Sequence, residues 1–210
     1  MSQKPAFRRA EPDKRRLSLI EACARVLARD GVAGASVRAI ALEAGVSAGL
    51  VGHYFTGIDA LVAATYAHVE VRVSEALDAA VASAGTDPRA RLDAFVTASF
   101  APPIASGELL ATWIAFWSLV RSRADIARQH DEQYAASRAR LENLLGECGL
   151  AAERLRRAAI AVTALVDGLW LELCLSPEAF SAAEAGAIAR SALDAVLCCA
   201  DPTLTAGSAG

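Results

Sequence analysis

The stretch that decides the fold runs from Ser36 to Phe55 and reads SVRAIALEAGVSAGLVGHYF. Its apolar residues recur at helical spacing on both sides of a break at Gly45, which predicts two short helices. Ser36 and Ser47 stand immediately before these helices, where a serine hydroxyl accepts a hydrogen bond from the free N–H groups of the first turn. Glycine at the break adopts positive φ at low steric cost, so the chain can reverse within about three residues. The stretch therefore predicts a helix-turn-helix.

The two helices, residues 37–44 and 48–55, are expected to pack around a small apolar core. Its members are Ile40, Ala41, Val46, Val51 and Phe55. The second helix then exposes its N-terminal end and one edge, the arrangement by which such a unit enters the major groove of DNA. The residues predicted to contact DNA from this helix are Ser47, Ala48, Gly49, Leu50, Gly52, His53 and Tyr54.

Charge is distributed unevenly along the chain. Residues 1–60 contain nine Lys or Arg and six Asp or Glu, a balance of +3, whereas the whole chain carries −3 and the remainder therefore −6. A basic N-terminal unit on an acidic body suits a protein of which one end meets phosphate. On charge alone, a basic tail that serves only solubility is the alternative.

Helical periodicity continues through the rest of the 210 residues, of which 54% are hydrophobic, and no run of alternating β-branched residues indicates a strand. The predicted fold is therefore all-α, with an N-terminal three-helix bundle, a larger C-terminal helical bundle and about nine helices in total. The helices are predicted near residues 11–29, 37–44, 48–55, 58–83, 88–100, 108–122, 124–146, 151–175 and 178–199.

Three functional segments follow from this pattern. Residues 1–57 are predicted to bind DNA, residues 58–200 to bind a ligand and dimerise, and residues 201–210 to form a disordered tail. The basic and polar N-terminus, residues 1–16, does not have the apolar stretch of a secretory signal, so we expect a cytoplasmic protein. The most apolar stretch, residues 158–175, contains Asp167 and Glu172, which favours a buried helix over a membrane span.

The cysteine and histidine patterns argue against catalysis and metal binding. The cysteines are odd in number, show no C-x-x-C spacing and lie in apolar helical patterns, which favours buried, reduced thiols over a redox or metal role. They are Cys23, Cys148, Cys174, Cys198 and Cys199. The sequence contains no Gly-rich phosphate loop, metal-ligand cluster or nucleophile elbow, so we expect neither an enzyme nor a cofactor.

One reading helix contacts only a few base pairs, so adequate affinity requires two copies on a palindromic operator. Small and apolar residues on the last two predicted helices supply a candidate surface for a four-helix dimer interface. Packing within the core of one chain is the alternative. The predicted interface residues are Ala161, Ala164, Gly168, Ala185, Ile188, Ala189, Ala192, Leu193 and Val196.

Aromatic residues are concentrated in two short motifs. Trp113, Phe116 and Trp117 share one helical face, and Trp170 is on another helix. Aromatic faces attract quaternary ammonium cations, so these rings suggest a cage for such a ligand; a core made of the same rings is the alternative. The predicted ligand-binding residues are Trp113, Phe116, Trp117, Tyr134, Asp167, Trp170 and Glu172.

The stretch from Leu17 to Leu61 resembles the N-terminal signature of the TetR family of bacterial regulators. Trp113-Ile-Ala-Phe-Trp117 and Leu165-Val-Asp-Gly-Leu-Trp-Leu171 resemble the C-terminal body of its BetI-type, choline-responsive repressors. This resemblance implies a homodimeric repressor that a small-molecule effector, choline or a related quaternary ammonium compound, releases from operator DNA. It adds Lys14, Arg15, Arg16, Ser36 and Arg38 to the predicted DNA contacts.

Two positions depart from the family pattern. Gly52 stands where relatives often carry Tyr, and Ile58 where they carry Lys, and both of those residues commonly approach the DNA backbone in the family. A helical sensor that has lost DNA binding is therefore one alternative. A repressor that senses an unrelated hydrophobic or drug-like ligand is another.

Overall fold

The computed structural model describes residues 7–198. Within that range the chain forms nine α-helices and a short 3-10 helix at Ala98–Phe100, with no strand, which confirms the all-α prediction. The helices are α1 (Phe7–Gly34), α2 (Val37–Glu43), α3 (Ala48–Tyr54), α4 (Ile58–Ser83), α5 (Pro88–Thr97), α6 (Gly107–Val120), α7 (Ala124–Glu147), α8 (Ala152–Leu175) and α9 (Ala182–Cys198). The predicted tail, residues 201–210, lies outside the described residues.

Local signals explain most of the boundaries. Helix α4 has the predicted bounds, whereas α1 begins earlier than predicted and is interrupted at Gly31, which has a φ of 63°. Helix α9 begins four residues later than predicted because Ser181 and Glu184 form a reciprocal capping box. The Ser181 hydroxyl accepts from the Glu184 N–H at 3.2 Å, and the Glu184 carboxylate accepts from the Ser181 N–H at 2.8 Å.

The chain divides into two compact units. Of the described residues, the first comprises 7–72 and 108–130, and so holds α1 to α3, the first part of α4, α6 from Glu108 onward and the start of α7. The second comprises residues 73–107 and 131–198, with α5, α8, α9 and the remaining parts of α4 and α7. These units are compact parts of the fold and do not test the predicted boundary after residue 57 between a DNA-binding and a ligand-binding segment. That boundary stays a prediction.

The first unit contains the core predicted for the helix-turn-helix. Ile40, Ala41, Val51 and Phe55 are all buried, as predicted, and Val46 is half-buried. Burial of these side chains removes apolar surface from water and fixes α2 and α3 against each other.

The described cysteines differ in their environments. Cys23 is fully buried, and burial raises the pKa of its thiol to about 11, although a hydrogen bond with Thr65 offsets part of the rise. Cys148 and Cys174 are half-buried, and Cys198 is exposed, so the prediction of buried thiols is wrong for Cys198. Cys199 lies outside the described residues. All four described cysteines are free thiols, and no cluster of three or more metal-ligating side chains occurs in the described part of the chain.

Helix α8 is the main exception to the predicted burial. By length and composition alone it could cross a membrane, and only 17% of its most apolar 18-residue window is buried in the protomer. Its small residues Ala161, Ala164 and Gly168 are exposed, as is 60% of Leu175. The burial expected for this helix is therefore only partly met by the described residues, which leave one apolar face of α8 exposed.

The apolar residues of α9 divide between two faces. Ala185, Ala189 and Leu193 are 0–1% exposed and belong to the core of the second unit. Their side chains are not available to a partner, so their assignment to a dimer surface is corrected. By contrast, 47% of Ile188 is exposed, and Ala192 and Val196 are half-buried.

Candidate functional site

The candidate reading helix α3 is held by the caps and the turn that the sequence predicted. The Ser36 and Ser47 hydroxyls accept hydrogen bonds from the backbone N–H groups of Ala39 and Leu50, at 3.2 and 3.3 Å. Gly45, between α2 and α3, has a φ of 65°, a conformation that favours glycine. Because each serine oxygen accepts the capping bond, its own hydroxyl hydrogen remains available to a phosphate.

The outer face of α3 is formed mainly by small residues and contains no Lys, Arg, Asp or Glu. Ala48, Gly49, Gly52 and His53 are exposed, and a Cβ atom at Gly52 would meet nothing within 4 Å. The imidazole of His53 lies edge-on to the half-buried ring of Tyr54, with 5.2 Å between the ring centroids. A face of this kind permits close approach of the helix backbone to base edges, with His53 and Tyr54 as its principal hydrogen-bonding side chains.

Basic residues flank this face from α1 and α2. Lys14, Arg15 and Arg16 lie within α1, and all three are exposed, as is Arg38 on α2. The Arg16 guanidinium lies 5.1 Å from the ring centroid of Phe55, the C-cap residue that follows α3. This cation–π contact places one predicted phosphate ligand beside the C-terminal end of α3.

Two other arginines of the basic N-terminal segment are engaged within the protein. Glu43 of α2 accepts from Arg25 Nε at 2.7 Å and from Arg29 Nη1 at 2.8 Å. These bonds, the Arg25 bond first, lower the pKa of Glu43 below its ordinary value. The pairs join α1 to α2, so part of the positive charge counted in the sequence stabilises the bundle. Charge counting missed this role because Arg25 and Glu43 are 18 residues apart.

The first unit contains a cluster of aromatic rings, hereafter the aromatic cluster. Trp113 and Phe116 of α6 are buried and lie edge-on to Tyr66 of α4, with centroid distances of 5.3 and 4.9 Å. Trp117 is half-buried and stacks on Trp113, with centroids 6.3 Å apart. The Tyr66 hydroxyl lies 3.4 Å from His130 Nδ1 of α7. The sequence prediction omitted Tyr66, although the ring of this residue joins α4 to α6.

The other predicted ligand residues belong to the second unit. The Tyr134 hydroxyl donates to Asp167 Oδ2 at 3.2 Å, and burial, with the Asp167 charge, raises the pKa of Tyr134 above its ordinary value. The buried Trp170 donates its indole N–H to the carbonyl oxygen of Ile104 at 3.0 Å. Glu172 is exposed. A cage that combines these residues with the aromatic cluster stays a prediction.

Comparison with protein families matches most of the described chain in two separate segments. Residues 19–65 match the N-terminal domain of bacterial regulatory proteins of the TetR family, and residues 88–198 match the C-terminal domain of BetI-type transcriptional repressors. The HTH-type transcriptional regulator BetI of Paraburkholderia phytofirmans is 37% identical over 87% of this chain and 93% of its own length. BetI 2 of Chromohalobacter salexigens is 36% identical over 87% of this chain and 88% of its own length.

Solved structures show the same fold. A transcriptional regulator from Pseudomonas aeruginosa has a TM-score of 0.83 and 42% sequence identity, and the match covers 94% of this chain and 97% of that one. A regulator from Saccharomonospora viridis, solved in complex with choline, has a TM-score of 0.70 and 20% identity, covering 85% of this chain and 95% of that one.

Proposed function

The chain belongs to the TetR family of bacterial regulators, with a C-terminal domain of the BetI type, and on that premise we propose that choline or a related quaternary ammonium compound releases it from a palindromic operator. As a member of this family it is a DNA-binding transcriptional regulator of the repressor type and not an enzyme. We place it in the cytoplasm, where the operator is.

The capped α3, with its small outer face, carries the DNA-binding part of the proposal. Ala48 and Gly49 leave the helix backbone free to approach the floor of the major groove, and His53 supplies a hydrogen-bonding group to a base edge or phosphate. The exposed cations Lys14 and Arg38 are suited to phosphate contacts, which position the helix but carry no sequence information.

The aromatic cluster supports the effector assignment. Trp117 is its half-buried ring and stacks on the buried Trp113, so Trp117 is more accessible to a ligand than Trp113, Phe116 or Tyr66. A cation over a tryptophan face gains about 2 kcal/mol when both are desolvated. The regulator from Saccharomonospora viridis that was solved in complex with choline supports the same class of ligand, as does the resemblance to BetI-type repressors.

The uncovered face of α8 supports homodimerisation. Exposed Ala161, Ala164 and Gly168 let a second helix approach closely, and Ile188 of α9 adds an exposed apolar side chain. A second copy that presents the same face would bury all of them. Two copies also supply the two reading helices that a palindrome requires.

The proposed mechanism couples the effector to operator binding through α4. This helix starts four residues after α3 ends and contributes Tyr66 to the aromatic cluster. An effector that binds more tightly to a conformation with displaced α4 helices would favour that conformation and change the separation of the two α3 helices. The dimer would then no longer engage both half-sites.

The experiment uses a duplex selected by the full-length protein from a random library. Operator binding is followed by fluorescence anisotropy during titration with choline, and 3,3-dimethylbutanol, the uncharged isostere, serves as the matched control. We expect choline to release the DNA and the isostere to leave it bound. Loss of about 2 kcal/mol of cation–π attraction predicts that Trp117→Ala raises the required choline concentration about 30-fold, whereas Trp117→Phe retains part of the response.

Each alternative has its own outcome in this experiment. Failure of the protein to select any duplex would favour a sensor without DNA binding. Release by hydrophobic drug-like cations, with choline, betaine aldehyde and the isostere all inactive, would contradict the choline assignment and leave the regulator assignment intact.

A further inference from the structure

An arginine in the turn between α6 and α7 reaches the helix that follows the reading helix. Arg123 Nη1 donates to Asp59 Oδ1 at 2.7 Å, and Arg123 Nη2 donates to the backbone carbonyl oxygen of Asp59 at 3.1 Å. Both residues belong to the first compact unit. Only 17% of the arginine side chain is exposed, compared with 80% of the aspartate side chain. The guanidinium thus holds the side chain and the backbone of one residue in the first turn of α4.

Asp125 holds the same guanidinium from another side. Arg123 Nε donates to Asp125 Oδ1 at 3.1 Å, and Nη2 forms an ion pair with Asp125 Oδ2. The bond from Arg123 lowers the pKa of Asp125, and the same bond raises the pKa of Arg123. Because the guanidinium is planar and its donors are fixed, a partner at Asp125 orients the fork toward Asp59.

The backbone of Arg123 is bonded to both helices that flank it. Its N–H donates to the carbonyl oxygen of Leu119 in the last turn of α6 at 2.8 Å. Its carbonyl oxygen accepts from the N–H of Ala127 in the first turn of α7 at 2.9 Å. A shift of the end of α6 therefore moves the arginine. Helix α6 also carries Trp113 and Trp117 of the aromatic cluster.

The other end of the contact is close to the reading helix. Asp59 is the second residue of α4, and three residues separate it from Phe55, the C-cap residue of α3. Phe55 is 6% exposed and donates its N–H to the carbonyl oxygen of Val51 in α3 at 3.0 Å. A short connection between an anchored end of α3 and a held first turn of α4 leaves little freedom for either helix to move alone.

We propose that Arg123 is the residue that positions the reading helix for DNA and transmits displacement of the α6–α7 turn to it. Arg123 acts through Asp59 and contacts no DNA itself, so it is a positioning residue. The transmission part rests on the proposed function, because it takes the aromatic cluster as the place where the effector acts. The claim that Arg123 positions the reading helix concerns the protein without effector, so it can be tested independently of the proposed function.

The test compares Arg123→Gln and Arg123→Lys in the full-length protein with Arg121→Gln, an exposed arginine of the same turn. Affinity for the selected duplex is measured by anisotropy at several salt concentrations, and hydrogen exchange is followed in the free protein. We expect Arg123→Gln to weaken binding about tenfold, within the usual range for coupled sites, without change in the salt slope. Arg123→Lys keeps one of the two bonds to Asp59 and should give an intermediate value, and Arg121→Gln should bind as the wild type does.

Hydrogen exchange separates positioning from general destabilisation. We expect Arg123→Gln to accelerate exchange in residues 48–63, with α8 and α9 unchanged. Asp59→Asn removes the charged partner but not the carbonyl bond, so its effect should be smaller than that of Arg123→Gln.

Three results would overturn the proposal. The first is unchanged exchange at residues 48–63, or DNA affinity within twofold of wild type. The second is a salt slope lowered by about one per arginine removed, which marks a direct phosphate contact. The third is faster exchange throughout the chain. If the wild type selects no duplex, the proposed function fails, and hydrogen exchange still decides the positioning claim.

Discussion

Replacement of Gly52 by tyrosine is predicted to tighten operator binding while it stabilises α3. Gly52 lies inside a seven-residue helix, is exposed, and has space for a Cβ atom, with no neighbour within 4 Å. Glycine inside a helix costs about 0.5–1 kcal/mol relative to alanine, so Gly52→Ala should raise the free energy of unfolding by about that amount. At about 2–4 °C per kcal/mol for a chain of this size, the midpoint of thermal unfolding should rise by about 1–4 °C.

The tyrosine hydroxyl adds a second, separable effect. One hydrogen bond to a phosphate contributes about 1.5 kcal/mol, just over tenfold in affinity for each half-site. Gly52→Phe is the matched control, because it fills the same space without the hydroxyl. The assay is anisotropy on the selected duplex, with thermal unfolding measured on the same samples.

Comparison of these variants can refute the prediction that a tyrosine at position 52 contacts a phosphate. If Gly52→Tyr binds no more tightly than Gly52→Phe, position 52 does not face a phosphate. If all three variants melt at higher temperature and bind more weakly, the glycine serves close approach to the groove floor, and its departure from the family pattern is itself a recognition feature.

Three further predictions concern charge and assembly. Ile58→Lys should tighten operator binding and steepen the salt dependence by about one unit per subunit, because each lysine releases a further counterion; an unchanged slope would contradict a phosphate near residue 58. Ala164→Arg should give a monomer in sedimentation velocity at concentrations where the wild type and Ala82→Arg, an exposed site on α4, remain dimers. Asp125→Asn should lower the melting temperature at pH 7, because Arg123 depresses the pKa of the folded carboxyl. The difference in melting temperature between wild type and Asp125→Asn should be complete above the carboxyl pKa of about 3.9 in the unfolded chain. It should disappear as the pH falls through the lower pKa of Asp125 in the folded protein. A difference that grows in acid would contradict the ion pair.

The helix-turn-helix could be predicted because its signals are local. Ser36 and Ser47 each act on an N–H group three residues away, and Gly45 acts on its own φ. Interactions of this range are present in the sequence pattern itself, and the structure confirms all three. The departures at Gly52 and Ile58 are equally visible in the sequence, but their effect depends on the DNA.

Contacts between residues far apart in the sequence could not be predicted from local sequence patterns. The Tyr66 ring meets Trp113, which is 47 positions later in the chain, and Arg123 reaches Asp59 across 64 positions. Nothing in the local pattern distinguishes these residues from other members of amphipathic helices. Helix α9 shows a further limit: Ala189 and Ile188 are both apolar, yet one is buried in the protomer and the other is exposed. Apolarity predicts burial but does not identify the surface that provides it.

Because the chain divides into two units, dimerisation and the positioning of the reading helix can be tested separately. The reading helix, Tyr66, the α6 rings and the Arg123–Asp59 contact all belong to the first unit, whereas α8 and α9 belong to the second. Loss of the α8 surface should therefore cost operator affinity through loss of the second half-site and leave the exchange of α3 unchanged. Loss of Arg123 should also weaken operator binding, but the dimer should persist and the amide hydrogens of the reading helix should exchange faster. Two variants that weaken DNA binding equally can thus be assigned to different steps by sedimentation and hydrogen exchange on the free protein.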